Sequence, residues 1–378
     1  MSNVIYLDNA STTKLNANVL EKMSPYLTEV YGNANSTHFL GRQAVKGLDD
    51  ARDTVAKLIN ADANEIYFTS GGTEGDNWAL RGFSAVRGNK NKIVVSSIEH
   101  SAMLETLKDL ELLGVKVVKI KPNKNGVVSV EDFAREIDND TFLVALMLAN
   151  NETGVIQPVK EVFEIAKKFG AYTFTDAVQY IPYFNVNVKE LNADMISCSA
   201  HKFEGPKGVG FTYIKNGVKI GSIITGGHQE RARRAGTSNV AGAIGLATAL
   251  KLSRETLETD YNYVLSLRNA FIEKTLKNID IASVNGTLDN RLPGNANILF
   301  KGISGEALLF NLDLNGVCAS LGAACSAGSI DPSKTLIEMG LSEKDAKSSI
   351  RFTFSRHNTF EEVDKVVNLL VSLVEKLK

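Results

Sequence analysis

Short apolar runs and amphipathic stretches alternate along the first two thirds of the chain. Five runs have the length and composition of strands, namely residues 93–95, 115–118, 143–147, 172–175 and 195–198. Residues 159–166 carry apolar side chains at i, i+3, i+4 and i+7, which predicts a helix with one apolar face. This alternation predicts an α/β fold around a mostly parallel sheet.

After about residue 250 the pattern changes to fewer strands and longer helical stretches. We predict helices over 261–278 and 360–377, with a run of small residues at 320–329 between them. We place a domain boundary near residue 256, so that 13–256 form a large domain. Residues 1–12 and 257–378 are predicted to form a smaller α+β domain that carries the loop of about 320–330.

Composition and charge exclude several classes of protein. The chain has 44% hydrophobic and 22% charged residues, which is typical of a globular protein. A formal charge of −1 provides no strong positive field, so neither nucleic acid nor an anionic membrane is an expected partner. The chain has no apolar run of about 18 residues and no signal-peptide pattern at its start. Three cysteines do not make a disulfide framework, and we expect a soluble cytoplasmic protein.

A glycine-rich motif follows a strand-like run and precedes a helical one. It spans residues 69–75 and reads Thr-Ser-Gly-Gly-Thr-Glu-Gly. Glycines between a strand and a helix let backbone amides approach a phosphate, and the helix N-terminus adds a favourable dipole. The alternative is a tight turn with a threonine cap.

Two further segments supply a carboxylate and an amine. Asp176 ends one predicted strand, where side chains of a parallel sheet reach the usual ligand crevice, although it could also cap the next element. Lys202 follows another predicted strand, where desolvation can lower the pKa of an amine enough to form a Schiff base, although most lysines are solvated. A phosphate cradle, an acid and an amine in this order predict a pyridoxal 5'-phosphate enzyme.

The cysteines differ in their surroundings. Cys325 lies among small residues and two glycines, which predicts an exposed, mobile loop with a nucleophilic thiol. Cys198 lies in a predicted strand and is interpreted as a small core residue. Cys318 could pair with Cys325 or share a metal with it. We predict no metal site, because no set of side chains has clean ligand spacing.

Short segments over nearly the whole chain resemble one known family. They are residues 6–10, 32–38, 97–100, 150–157, 176–179, 199–202, 226–230, 233–237, 324–326 and 349–352. Together they resemble the cysteine desulfurases of the NifS/IscS type, within the class-V aminotransferases. The resemblance implies pyridoxal-phosphate fold type I, with a large domain built on a seven-stranded, mostly parallel sheet.

The resemblance also implies roles around the cofactor ring. Lys202 would be the Schiff-base lysine, and Asp176 the partner of the pyridine nitrogen. Gln179 would bond to the ring hydroxyl. His100 would stack on the ring and help to move protons.

The same resemblance implies a phosphate site and a homodimer. The backbone of Gly72 and the side chains of Thr73, Ser199 and His201 would hold the phosphate. Thr237 matches a residue that contacts the phosphate bound to the other subunit.

For the substrate, Arg351 matches the arginine that binds the carboxylate of L-cysteine, and Asn151 would contact cofactor and substrate. Cys325 would accept the sulfur as a persulfide and leave L-alanine. The persulfide would pass to an acceptor protein, either an iron–sulfur scaffold or a tRNA-thiolation protein. The alternatives are a selenocysteine lyase, an aminotransferase, or a sulfur carrier that holds the cofactor without turnover. An aminotransferase needs no thiol, so Cys325 argues against that alternative.

Overall fold

The computed structural model describes residues 4–322 and 331–378. The helices are α1 (Ala17–Met23), α2 (Pro25–Thr28), α3 (Phe39–Leu58), α4 (Gly72–Ala85), α5 (Ser101–Leu112), α6 (Val130–Glu136), α7 (Val159–Lys168), α8 (Val188–Leu191), α9 (Val240–Glu255), α10 (Leu257–Asn278), α11 (Gly305–Leu314), α12 (Lys334–Glu338), α13 (Glu343–Lys347) and α14 (Phe360–Leu377). The strands are β1 (Ile5–Tyr6), β2 (Ile66–Thr69), β3 (Lys92–Ser96), β4 (Lys116–Ile120), β5 (Thr141–Ala145), β6 (Tyr172–Asp176), β7 (Met195–Ser199), β8 (Gly210–Ile214), β9 (Ala282–Val284), β10 (Asn295–Phe300), β11 (Val317–Cys318) and β12 (Ser349–Thr353).

The largest sheet has seven strands in the order β2-β8-β7-β6-β5-β3-β4. Adjacent strands are parallel along the part β7-β6-β5-β3-β4. Strand β8 is antiparallel to both of its neighbours, β2 and β7. The five apolar runs predicted as strands overlap β3 to β7. The predicted α/β fold with a mostly parallel sheet is therefore confirmed.

Both faces of this sheet are buried, which explains the unbroken apolar runs. In β3, Val94 joins the apolar cluster on one face, while Ile93 and Val95 join the cluster on the other. Successive residues of a strand point to opposite faces, so a strand covered on both sides needs apolar residues at consecutive positions.

A second apolar cluster surrounds the three-stranded antiparallel sheet β12-β10-β9. Phe271 of α10 packs against Phe352 and Phe354, with ring centroids 4.9 and 5.3 Å apart. The N-terminal segment joins this cluster, because β1 pairs with β11 in parallel and Leu7 is fully buried there. These packing arrangements support the division near residue 256, which stays a prediction.

Helix α4 starts directly against the seven-stranded sheet. A Cβ atom at Gly75 would lie 2.6 Å from the Ser197 Cβ of β7 and 3.0 Å from the Thr212 Oγ1 of β8. Since real Cβ atoms do not approach so closely, the absence of a side chain at Gly75 lets the first turn of α4 lie on the sheet. The helix N-terminus is thereby fixed near the carboxyl end of β7. Within the described part of the chain, no helix is long and apolar enough to cross a membrane.

We predict that Gly75→Ala destabilises the protein by about 1–3 kcal/mol, because overpacking forces the helix away from the sheet. The sign of the change in the free energy of unfolding is informative. In an ordinary helix interior, replacing glycine by alanine would stabilise the protein by about 0.5–1 kcal/mol. Urea unfolding measures the change. Gly302→Ala is the control for backbone strain, because Gly302 has a positive φ of 85° and no atom near its missing Cβ. A Gly75→Ala protein as stable as the wild type would contradict the close approach.

Candidate active site

A cavity of about 430 Å³ lies at the carboxyl ends of β6 and β7. Ten residues predicted from the sequence line it: Gly72, Thr73, His100, Asn151, Asp176, Gln179, Ser199, His201, Lys202 and Arg351. Thr237 is exposed and does not line this cavity. Cys325 falls in 323–330, outside the described residues.

One end of the cavity is formed by the N-terminus of α4. Within residues 4–322 and 331–378, no side chain caps this helix, and Gly71 before it has a φ of 153°, which a residue with a side chain rarely adopts. A Cβ atom at Gly72 would lie 2.8 Å from the Val178 Cγ2. Backbone amides at an uncapped helix N-terminus bind anions well, so this end suits a phosphate group.

His201 also lines this cavity, and its imidazole is uncharged at neutral pH. Its Nδ1 is 3.1 Å from the Thr12 Oγ1. Burial, together with the charges of Lys202 and Lys207, lowers the pKa of His201 to about 4. A neutral imidazole can offer a hydrogen bond to a phosphate without adding charge.

Asp176 ends β6 as a buried carboxyl group. Its Oδ1 accepts a hydrogen bond of 2.8 Å from the backbone N–H of Val178. Burial raises the pKa of Asp176, while His100, the Val178 hydrogen bond and Lys202 act in the opposite direction. A buried carboxylate is stabilised by a nearby cation, so the group suits a protonated ring nitrogen.

Lys202 and Gln179 both contact the backbone near the start of the chain. The Lys202 Nζ donates to the carbonyls of Ala10 at 2.5 Å and Ser11 at 2.8 Å. The Gln179 Nε2 donates to the same Ala10 carbonyl at 2.9 Å. Lys202 ends a short 3₁₀ turn after β7, and these contacts fix the amine inside the cavity.

Arg351 reaches the cavity from β12, in the three-stranded sheet. Its Nη1 donates to the Asn151 carbonyl at 2.9 Å, and its Nη2 donates to Asp8 at 2.9 Å and to the Ser11 hydroxyl at 2.7 Å. Its buried Nε has no hydrogen-bond partner among the described residues. A planar guanidinium fixed in this way can bind a carboxylate with defined geometry.

Two buried acids were missed by the sequence analysis: Asp76, which lines the cavity, and Glu99, which precedes the cavity residue His100. Asp76 is 1% exposed and accepts a hydrogen bond of 2.6 Å from the Ser197 hydroxyl. Glu99 is 4% exposed, and its Oε1 accepts one of 2.9 Å from the Met147 N–H. Burial and the charge of Asp176 raise the pKa of both groups well above the ordinary range.

The available sequence signals for these acids were weak. Asp76 lies three residues after Thr73 on the first turns of α4, and Glu99 directly precedes His100. Asp8, which holds Arg351, lies in one of the segments that carry the family resemblance. None of these positions indicates by itself that a carboxyl group is buried.

Comparison with known proteins identifies the family. The model of the class-V aminotransferases matches residues 5–366. A cysteine desulfurase IscS from Clostridium botulinum (strain Hall) is 43% identical over 100% of this chain and 96% of its own length. One from Methanosarcina thermophila is 44% identical over 99% of this chain and 93% of its own length. A solved NifS-like protein has a TM-score of 0.94 and 37% identity, covering 99% of this chain and all of its own.

The chain therefore belongs to the class-V aminotransferase family of pyridoxal-phosphate enzymes. Within that family it is an enzyme of the cysteine desulfurase type, as the resemblance predicted. Its fold is that of pyridoxal-phosphate fold type I, which confirms the predicted fold class.

The described residues fit the cofactor chemically. The cradle before α4 lacks the side chains that would fill it, and a buried carboxyl group and an amine line the same cavity. These are the groups that a phosphate, a ring nitrogen and an aldehyde require.

The buried acids give a prediction about pH and stability. Asp76 and Glu99 bind protons more tightly in the folded protein than in the unfolded chain, because their pKa values are raised on folding. Each therefore lowers the free energy of unfolding as pH rises above about 4, by up to about 1.4 kcal/mol per pH unit, until its folded pKa is passed. We expect the double variant Asp76→Asn, Glu99→Gln to show a flatter dependence in urea unfolding.

The control is Glu21→Gln, which changes an exposed glutamate and should keep the wild-type slope. Parallel curves for the wild type and the double variant would show that these carboxyl groups do not retain their protons on folding.

Proposed function

We propose that this protein removes sulfur from L-cysteine, producing L-alanine and a persulfide on Cys325. The observation that carries the proposal is the single cavity in which Lys202, Asp176 and Arg351 lie together. The cysteine desulfurases that match nearly the whole chain support the same reaction.

In this proposal, residues from five segments hold pyridoxal phosphate. Gly72, Thr73, Ser199 and His201 would hold the phosphate, Asp176 the ring nitrogen and Gln179 the ring hydroxyl, while His100 and Asn151 would contact the ring. Lys202 would form the covalent link. When bound, the cofactor withdraws electrons from the substrate Cα.

The protein's own side chains bind the substrate and move its protons. Arg351 binds the carboxylate; its position at the cavity supports this role, as does its Nε, which has no hydrogen-bond partner among the described residues. Once the substrate amine has displaced it from the covalent link, the Lys202 Nζ would take the Cα proton, and His100 would assist proton transfer. The fixed position of the guanidinium orients the substrate for these transfers.

Sulfur transfer then takes place at Cys325. Its thiolate forms an S–S bond to the substrate sulfur as the Cβ–S bond breaks. The electron pair of the broken bond stays with the carbon skeleton and Cβ takes up a proton. Lys202 returns a proton to Cα, which completes L-alanine. The persulfide on Cys325 passes to a thiol of an acceptor protein, which is an iron–sulfur scaffold or a tRNA-thiolation protein.

The proposal includes a cytoplasmic homodimer. Thr237 is exposed and lies outside the cavity of its own chain, which supports a contact with the phosphate bound to the other subunit. Light scattering on the purified protein tests the dimer, and a monomer at micromolar concentration would contradict it.

We predict that Cys325→Ser keeps the visible absorbance of the bound cofactor but stops sulfide release, because serine cannot form a persulfide. Sulfide and alanine are assayed after adding L-cysteine and a thiol reductant. Cys318→Ser is the matched control and should release sulfide. Wild-type sulfide release by the Cys325→Ser variant would contradict the role of this thiol.

We also predict that Lys202→Ala loses the absorbance band of covalently bound cofactor, because the variant has no amine at this position. The spectrum is recorded before and after borohydride, with Lys207→Ala as the control for a second lysine at the cavity. A reducible band that persists in Lys202→Ala would assign the covalent link to another lysine.

A further inference from the structure

Two groups with proposed roles in the reaction belong to different sheets. Lys202 follows β7 of the seven-stranded sheet, whereas Arg351 lies in β12 of the three-stranded sheet. An amine that takes the Cα proton and a guanidinium that binds the carboxylate must keep a fixed separation. The contacts between the two sheets therefore control the geometry of the substrate site.

One carboxylate joins the Lys202 segment to the segment that follows β12. Glu204 lies two residues after Lys202, and its side chain is 14% exposed. Arg356 donates to both of its oxygens, with Nε–Oε1 at 3.0 Å and Nη2–Oε2 at 2.5 Å. His357 lies 2.7 Å from Oε1, and the Asn16 Nδ2 donates to Oε2 at 2.9 Å.

Arg356 also contacts the start of α10. Its Nη1 donates to Asp260 at 3.0 Å and to the Thr256 hydroxyl at 3.2 Å. Helix α10 packs through Phe271 against Phe352, the residue after Arg351. The guanidinium therefore links Glu204 to the helix that supports β12.

The ion pair between Glu204 and Arg356, which we call the bridge, stays charged at neutral pH. Burial alone would raise the pKa of Glu204, but hydrogen bonds from His357, Arg356 and Asn16 lower it to about 2. A bidentate guanidinium–carboxylate pair of this kind fixes direction as well as distance.

Glu204 also has an unusual backbone conformation. Its φ is 62°, in the left-handed region that residues with side chains seldom adopt. The Glu204 N–H donates to the Thr13 hydroxyl at 2.8 Å, and its carbonyl accepts from the Asn16 N–H at 3.0 Å. Such strain persists where surrounding contacts determine the conformation, and it is common at functional sites.

Beside this bridge the two parts of the molecule are not packed tightly. A cavity of about 70 Å³ is lined by Lys202, Glu204, Tyr183, Val264 and Arg356, among others. On this side the Lys202 segment borders the cavity, and the Glu204–Arg356 ion pair is a direct polar contact that connects this segment to the start of α10.

We propose that Glu204 is a positioning residue for the reaction: through its ion pair with Arg356 it fixes Lys202 relative to Arg351. The inference rests on the proposed function, because the roles of Lys202 and Arg351 belong to that proposal. It adds a determinant of substrate binding that contacts neither the substrate nor the cofactor.

The test compares the wild-type holoenzyme with Glu204→Gln and Arg356→Gln. Each variant should raise the KM for L-cysteine about tenfold and change kcat much less, because a misplaced guanidinium weakens binding of the carboxylate. Binding of L-alanine, measured by calorimetry, should weaken by a similar factor. The cofactor absorbance should be retained. The double variant should be no worse than either single variant, because both changes break one bridge.

The matched control is Asp194→Asn. Asp194 forms a largely buried ion pair with Lys167 at the other end of β7 and does not line either cavity. The variant should lower the Tm without changing the KM. A Glu204→Gln enzyme with the same behaviour would overturn the inference and leave Glu204 a structural residue.

A different result would contradict the proposed function itself. A wild-type holoenzyme that releases neither sulfide nor alanine from L-cysteine would contradict the proposed function. The calorimetric comparison of L-alanine binding would still decide the role of Glu204, since equal affinities in the wild type and Glu204→Gln would overturn it.

Discussion

The N-terminal segment from Asp8 to Asn16 is the constraint on which the site depends. Its backbone carbonyls accept hydrogen bonds from Lys202 and Gln179, and its side chains hold Arg351. These partners come from both sheets. Because one short segment contacts all three side chains, it fixes the position of the Lys202 amine relative to the Arg351 guanidinium. The bridge between Glu204 and Arg356 is a second connection between the same two parts of the chain.

The electrostatics of the cavity follow from burial. Asp176, Asp76 and Glu99 are all buried near one another, and the charge of Asp176 raises the pKa of the other two. A single negative charge facing a cationic ring nitrogen is favourable, whereas three would repel one another in a poorly solvated site. The raised pKa values of Asp76 and Glu99 favour their neutral forms, which suits the pairing proposed for Asp176.

Features with a local signal could be predicted from the sequence, and those that depend on distant packing could not. Helix α14 has the predicted bounds because Thr359 and Glu362 form a capping box before an apolar stripe. By contrast, Asp76 is buried because α4 lies on β7, where Ser197 is 121 residues away in the chain. The Glu204–Arg356 pair joins residues 152 apart, and in isolation each is typical of a solvated surface. The motif order located the glycine-rich segment, Asp176 and Lys202, whereas the family resemblance supplied the other predicted cavity residues and the roles of all ten.

The joining of the two chain ends has a consequence for biosynthesis. The Asn9 side chain donates to the Thr353 carbonyl across 344 residues, and β1 pairs with β11. The seven-stranded sheet is complete in sequence by Ile214, so it can form while later residues are still being synthesised. The N-terminal segment is synthesised before this sheet, but it obtains its partners in β12 only after residues 349–353 have been added. A nascent chain can therefore hold a formed sheet for some time before it has a competent active site.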